Sequence, residues 1–441
     1  MCLNIFKNKK ITKFETNKDK NLFLHKTTVE SKKYSPRTEF EVVNIFPDNE
    51  YQEFIGVGAA LTEASAYAYS LLPDNKKQAF INDYFSNINY SLCRISIGSC
   101  DFALGSYSYS EKKDLSDFSI EKDKKYIIPF IKDALNANPN LKFLASPWSP
   151  PSFMKSNKTL LLGGKLRDKY KQLYADYFVK FIKAYDELGI NIDFVTIQNE
   201  PNAVQLWESC IFTPEEEAEF LVDYLYPTFQ KNNIKTKILI YDQNKDKIYS
   251  RALAEFNNEK AAKAAAGIAF HWYTGDHFES LSLCKETFPD KLLIHTEGCA
   301  GFSTDHFHEN GYAKDIIEDF NNGANGYIDW NILLDNKGGP NHKKNYCNSP
   351  AMLKKDNTDY IKTPAFYYIG HFSKFVKNGA RRIAYSKYSS DIIMTSFKNP
   401  DGSIAVIMLN KTNNNINFNL CMKNIMFKDS LKANSIVTYL I

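Results

Sequence analysis

Eight short apolar runs, rich in β-branched and aromatic residues, recur between residues 54 and 331 with helical sequence between them. They are FIGVGAAL (54–61), LCRISIG (92–98), LKFLASPW (141–148), FVTIQNE (194–200), KILIYD (237–242), GIAFHWY (267–273), LLIHTEG (292–298) and GYIDWN (326–331). Most are apolar along their whole length, the pattern of parallel strands covered on both faces. Between them, LRDKYKQLYADYFVKFIKAYDELG (166–189) places Tyr170, Leu173, Tyr174, Tyr177, Phe178, Phe181, Ile182 and Tyr185 on one helical stripe, and Gly189 stops it. A second helix opens at Thr213, with Pro214 in its first turn and Glu216 completing a capping box. Pro227 is expected to end or kink that helix, and further helices are expected over 121–138 and 364–378. Eight strand–helix alternations specify the α/β class and a (β/α)8 TIM barrel. The competing open doubly wound sheet would carry a Gly-rich phosphate loop after a strand, and none is present.

Both ends of the chain change period. From about residue 380 the helical pattern stops, and RRIAYSKYS, DIIMTSFKNPDGSIAVIMLN, NINFNL and SIVTYLI read as strands, with NPDG as a hairpin turn. The start, with ITKFETNKDKNLFLHK and TEFEVVNIFP, also reads as strands. The expected organisation is N-terminal strands over 1–53, a catalytic barrel over 54–379 and C-terminal strands over 380–441, the two ends together completing one β-sandwich domain.

Charge and composition exclude several classes of partner. The net charge is +4, and no basic run is interleaved with aromatics, so no nucleic-acid partner is expected. No stretch of about 18 apolar residues suggests a membrane span. The start MCLNIFKNKKITKFE lacks the apolar core of a secretory signal, which points to a cytoplasmic location. The eight cysteines are scattered with no C-x-x-C pair, as expected of reduced, mostly buried thiols. No dinucleotide or phosphate-loop fingerprint follows a strand, and no cofactor or metal is expected. The cluster Asp305, His306, His308 and Glu309 lies on one loop and reads as solvated rather than metal-binding. His371 reads as a satisfied helix histidine. The chain leaves its oligomeric state unspecified.

In a barrel of this kind, functional residues sit at the C-terminal ends of the strands. Here the fourth and seventh runs end on carboxylates, Glu200 and Glu297, 97 residues apart. Arg94 and Asp101 belong to or follow the second, Trp148 ends the third, His271 and Tyr273 the sixth, and Trp330 and Asn331 the eighth. Paired carboxylates amid aromatics suit glycoside hydrolysis. One must protonate the leaving oxygen, with a raised pKa, while the other stays ionised and attacks the anomeric carbon. Asn199 would meet the sugar 2-hydroxyl. Two residues before Glu297, His295 is expected on the same strand face, either tuning that carboxylate or filling the barrel.

The ordered set RISIGSCDF, LASPWSPPSFMK, TIQNEP, FHWY, HTEGC, DWNILLDNKGGPN and FYYIGHFSKFVKNGARR resembles the glucosylceramidase family of retaining glycoside hydrolases, family 30 of clan A. The resemblance runs from about residue 11 to 441. It implies a (β/α)8 barrel with a β-sandwich built from both chain ends. It also implies Glu200 as acid/base and Glu297 as nucleophile, with Arg94, Asp101, Trp148, Asn199, His271, Tyr273, Trp330 and Asn345 lining the glycone site. Trp207, in the loop after Glu200, is a candidate platform for the aglycone. Ala59 and Glu63 stand where the family has a Gly and an Asp.

The expected activity is that of a retaining β-glycosidase acting on a carbohydrate or glycoside, β-D-glucosides foremost, as in a glucosylceramidase. β-Xylosidase, β-fucosidase, quinovosidase and endo-β-1,6-glucanase are the alternatives with the same chemistry. A catalytically silent carbohydrate-binding protein is the alternative of another class.

Overall fold

The computed structural model describes residues 9–299 and 309–441. Eight parallel strands make one sheet: β1 (Gly56–Ala59), β2 (Leu92–Ile97), β3 (Lys142–Pro147), β4 (Phe194–Thr196), β5 (Lys237–Asn244), β6 (Ala265–His271), β7 (Leu292–Glu297) and β8 (Gly326–Asp329). They neighbour one another in chain order, and β8 pairs with β1. A parallel bridge between Ala60 and Arg94, with Ser91 N–H donating to Val57 O and Leu61 N–H to Arg94 O, joins β1 to β2 and closes the ring. This is the (β/α)8 barrel expected from the eight apolar runs. β1, β2, β4 and β8 are buried along their whole length, as strands must be when helices cover one face and packed side chains fill the other.

The clearest amphipathic stretch folds as a helix over Lys171–Asp186 after a short 3-10 turn at Asp168–Tyr170, and it buries Tyr174, Tyr177, Phe178, Phe181 and Tyr185. Thr213 forms the capping box with Glu216. Of the two outcomes expected of Pro227, ending or kinking its helix, the structure shows no end: the helix runs on as Tyr226–Lys231. A π-turn over Phe220–Leu225 resets the hydrogen-bond ladder just before it, and Pro227 then opens the segment Tyr226–Lys231, where a missing N–H leaves no bond broken.

The described residues 9–56, 309–325 and 362–441 form a second compact unit. Its ten strands make one sheet that draws Lys10–Asn17, Leu22–Glu30, Lys32–Lys33 and Val42–Glu53 from the chain start and six strands from Arg381 onward. Alternate residues, among them Val43, Ile45, Ile383, Met394, Val406, Phe418 and Val437, close on one apolar core, so the sheet folds over itself as a sandwich. The NPDG turn joins two of its strands with Gly402 at φ +83°. In this unit His371 is buried between the hydroxyls of Thr438 and Thr16, at 2.7 and 2.9 Å, and burial lowers its pKa to about 3. It is the satisfied helix histidine expected. Asp305, His306 and His308 lie outside the described residues, as does the side chain of Glu309. The seven cysteines among the described residues are all free thiols, and no described helix is long and apolar enough to cross a membrane.

Ring closure depends on one glycine. A Cβ at Gly58 would collide with the carbonyl oxygen of Leu92 on the neighbouring strand. Gly58→Ala should therefore push β1 from β2 and cost about 1–3 kcal/mol. A lower urea midpoint would show this, and an unchanged midpoint would contradict the close approach.

Candidate active site

Two irregularities in the strands aim the site. In the β5–β6 pairing, Ala269 opposes Tyr241 and Phe270 opposes Gln243, so Asp242 is skipped. Tyr241 and Asp242 both have positive φ, 75° and 61°. In the β6–β7 pairing, Phe270 opposes His295 and His271 opposes Glu297, so Thr296 is skipped. Bulges re-aim side chains, and these two make one contact: Thr296 Oγ1 donates to Asp242 Oδ1 at 2.5 Å. His295 instead meets the backbone carbonyl of Glu297 at 2.9 Å and packs on Phe270, Trp272 and Tyr327. Thr296, not His295, therefore shares the network around Glu297, because the bulge breaks the alternation that put residues 295 and 297 on one face.

Arg94, with no exposed surface, donates to three acidic or amide oxygens: Glu297 Oε2 at 2.6 Å, Asp242 Oδ2 at 2.7 Å and Asn199 Oδ1 at 2.8 Å. Ser146 Oγ accepts from its Nε at 3.1 Å. Asp242 also accepts from Thr196 Oγ1 at 2.6 Å and Ser146 Oγ at 2.9 Å, and lies 3.2 Å from His271 Nε2. The other ring nitrogen of His271 is 3.6 Å from Glu200 Oε1. Tyr273 Oη donates to Glu297 Oε1 at 2.9 Å. One ligand atom each of Glu200, His271 and Glu297 lie within 4.8 Å of one another.

β4 ends at Thr196, four residues before Glu200, earlier than the apolar run suggests. The backbone leaves the ladder to bond across the rim: Asn199 N–H donates to Pro147 O and Glu200 N–H to Asp242 O, at 2.8 and 3.0 Å. Glu200 then turns at φ +49°, a conformation costing about 1–3 kcal/mol in a non-glycine residue. Pro201 follows with no N–H to satisfy. This turn lifts the Glu200 side chain toward His271 and Gln205, whose Nε2 donates to it at 3.0 Å.

The walls are aromatic and amide. Trp148 and Trp330 stack at 5.4 Å between centroids, and the Arg94 guanidinium lies over both rings at 4.8 and 5.7 Å. Trp207 packs half-buried against the cluster holding Trp148, Trp330 and Cys347. Asp101 accepts from the amides of Asn341 and Asn345, both at 3.2 Å. Arg94, Asp101, Trp148, Asn199, Glu200, Trp207, His271, Tyr273, Glu297, Trp330 and Asn345 thus fall in this one cluster. The sequence reading missed Asp242, Gln205 and Asn341. The signal for Asp242 was a carboxylate ending the fifth run, KILIYD, just as carboxylates end the fourth and seventh.

The charges are strongly displaced. Although burial opposes it, the Glu297 charge, the contact with Asp242 at 3.2 Å and the nearby Glu200 carboxylate raise His271 to about 9. Burial likewise opposes ionisation of Glu200, yet the His271 ring holds that carboxyl below its ordinary value. Burial pushes Glu297 up, against the pull of His271 and Arg94. Burial, then the Glu297 charge, raises Asp101 to about 7. These directions reverse the expectation that Glu200 would be the raised carboxyl. The reason is His271, which in the open pocket carries the proton beside Glu200. Glu200, His271 and Glu297 converge closely enough to hold a metal ion, but Arg94 already places a cation 2.6 Å from Glu297.

A barrel rim with two converging carboxylates, indole walls and short amides is that of a sugar-cleaving hydrolase. The profile of the glycosyl hydrolase family 30 TIM-barrel domain matches residues 54–376, and that of the family 30 beta sandwich domain matches residues 379–439. The lysosomal acid glucosylceramidase of Mus musculus is 31% identical over 430 residues, 90% of this chain and 83% of that one. The crystal structure of SrfJ from Salmonella typhimurium superposes with a TM-score of 0.95 at 33% identity, covering 98% of this chain and 99% of that one. A solved endo-β1,6-glucanase superposes at 0.90 with 29% identity, covering 98% and 99%. The chain belongs to glycoside hydrolase family 30.

Asp242→Asn should remove the charge that holds both Arg94 and His271, costing about 3–5 kcal/mol as a broken buried pair. Because His271 has a folded pKa of about 9, above its unfolded value, its contribution is full below about pH 6.5 and is lost as pH rises through about 9. Denaturant midpoints from pH 6 to 10 should fall across that window in the native protein and fall less in Asp242→Asn. Equal slopes would contradict the coupling.

Proposed function

We propose that this glycoside hydrolase is a retaining β-glycosidase acting foremost on β-D-glucosides, with Glu297 as nucleophile and Glu200 as acid/base. The observation that carries the reading is the convergence of Glu200 and Glu297 within 4.8 Å, with Arg94 on Glu297 at 2.6 Å. A short carboxylate separation, about 5–5.5 Å, leaves no room for water between the second carboxylate and the anomeric carbon and favours direct attack, whereas inversion needs about 6.5–9.5 Å. Arg94 and Tyr273 both donate to Glu297 and support its ionised form, and they hold it for attack.

Glu200 protonates the departing oxygen and later removes a proton from the attacking water. His271 holds the proton in the open pocket, and a sugar that excludes water strengthens the desolvation that favours the neutral acid, moving the proton across the 3.6 Å contact to Glu200. Asn199, held by Arg94, meets the 2-hydroxyl. Asp101, carrying a proton for part of its time near pH 7, donates to a distal hydroxyl, and the indoles of Trp148 and Trp330 flank the ring.

Beyond Glu200 the lip is apolar. Val204 and Leu206 are 60% and 72% exposed on either side of Gln205, and Leu162 joins them through its N–H to Gln205 O. This lip favours an apolar or aryl aglycone. The 0.90 superposition on an endo-β1,6-glucanase supports a second reading, endo action on a β-1,6-glucan, with the same catalytic pair.

Glu297→Gln should lower kcat by about 10⁴-fold or more. Glu200→Gln should lose about 10²–10⁴-fold on alkyl glucosides and much less on activated aryl glucosides. Equal losses on both substrates would remove Glu200 from the acid role. A panel of aryl β-glucoside, xyloside, fucoside, quinovoside and galactoside should favour the glucoside. Silence on all of them, with cleavage of β-1,6-glucan, would select the second reading.

A further inference from the structure

Glu208 is almost fully buried and lies in none of the roles above. Its backbone bridges Leu161, in the segment after β3. Its carboxylate accepts from Ser99 Oγ at 2.7 Å, in the segment after β2, and lies 3.4 Å from His342 Nε2, in the segment after β8. The other nitrogen of that ring, Nδ1, lies 3.2 Å from the carbonyl oxygen of Ala103. A carbonyl and a carboxylate can only accept. Nδ1 therefore donates to the Ala103 carbonyl, and a proton on Nε2 as well would put a positive charge 3.4 Å from the Glu208 carboxylate, an ion pair that the neutral ring does not make. Ser106 Oγ, 3.3 Å from Nε2, accepts or donates as required.

The neighbours of this pair are residues of the sugar pocket. Asn341 precedes His342 and donates to Asp101 at 3.2 Å while accepting from the backbone of Asn345 at 3.1 Å. Ala103, which His342 grips, is two residues beyond Asp101. Trp207 precedes Glu208 and packs on the Trp148–Trp330 cluster. The ion pair therefore ties together three segments that each present a wall residue, those after β2, β4 and β8, and the backbone of Glu208 adds the segment after β3.

We propose that the Glu208–His342 pair is a proton-dependent clasp that positions Asp101, Asn341 and Trp207, so that it sets affinity for the sugar without touching the reacting atoms. It rests on the reading of Asp101 and its amides as the sugar-binding wall. The charges around it support a protonated ring. His342 faces Glu208, feels Glu63, and is opposed by its neighbour Lys343. Burial works against the charge on His342, but the Glu208 carboxylate 3.4 Å away outweighs it and raises its pKa. Although burial opposes it, the neighbouring His342 ring, the Ser99 bond and the Ser106 hydroxyl hold Glu208 down to about 2, and Lys155 faces it from the segment after β3. Loss of the ring proton leaves Nδ1 on Ala103 but removes the positive charge facing Glu208, and loosens that side. KM should then rise with pH while kcat holds.

The test is steady-state kinetics of wild type, His342→Gln, Glu208→Gln and the double variant, from pH 5 to 9, on the aryl β-glycoside that wild type hydrolyses fastest. Each single variant should raise KM about tenfold near pH 6 with kcat within about threefold. The double variant should be no worse than either single one, as expected of residues acting as a unit. The rise of KM with pH expected of wild type should be smaller in His342→Gln, where only the titration of Asp101 remains to produce it; equal rises in both would overturn the clasp. Additive losses, an unchanged KM, or a fall in kcat equal to that in kcat/KM would overturn the clasp. Glu297→Gln runs alongside: if it abolishes turnover while the His342 and Glu208 variants leave KM alone, the clasp fails and the catalytic reading stands. If Glu297→Gln keeps wild-type turnover, the catalytic reading itself fails.

Discussion

A guanidinium with no exposed surface lies at the heart of the pocket, and its surroundings are arranged so that it is never unpaired. An isolated buried charge would cost several kcal/mol even after relaxation. Arg94 is compensated by two carboxylates and an amide oxygen within 2.8 Å, and by two indole faces. The planar fork of arginine suits this, since it presents several donors in fixed directions. The same pairing fixes Glu297, Asp242 and Asn199 relative to one another. The strand ends of β2, β4, β5 and β7 are thereby coupled through one side chain.

That coupling explains why the regular barrel becomes irregular at its rim. An ideal β5 would send Asp242 to the wrong register, and an ideal β7 would bring His295 rather than Thr296 to the network. The bulges at both places, and the positive φ at Tyr241, Asp242 and Glu200, are local costs accepted for that convergence. The buried pairs offset those costs only while every partner is present. The site is therefore rigid at its base, where Arg94 sits, and built from loops at its walls, where Asp101, Trp207 and Asn345 arise.

Much of this was legible in the sequence because the barrel's period is coarse. Apolar runs, a capping box and a change of period at about residue 380 survive small errors of boundary. Strand-end carboxylates and aromatics at Glu200, Glu297, Trp148 and Trp330 follow from the same logic. Asp242 carries the same strand-end signal, but nothing in one dimension shows a carboxylate facing a buried arginine. The bulge at Thr296 was illegible because a one-residue slip changes which face a side chain takes without changing composition. The reversed charge order of Glu200 and Glu297 depends on His271 standing 3.6 Å from one and 3.2 Å from Asp242, distances that no spacing in sequence contains.

The most direct test of the account is the anomeric configuration of the first sugar released. Proton NMR should follow hydrolysis of an aryl β-glucoside, or of β-1,6-glucan if that is the substrate cleaved, before mutarotation mixes the anomers. The β-anomer appearing first is the predicted result, since attack by Glu297 and then by water inverts the centre twice. The α-anomer appearing first would mean a single displacement by water. It would contradict the role of Glu297 as nucleophile and the short separation of the two carboxylates on which the account rests.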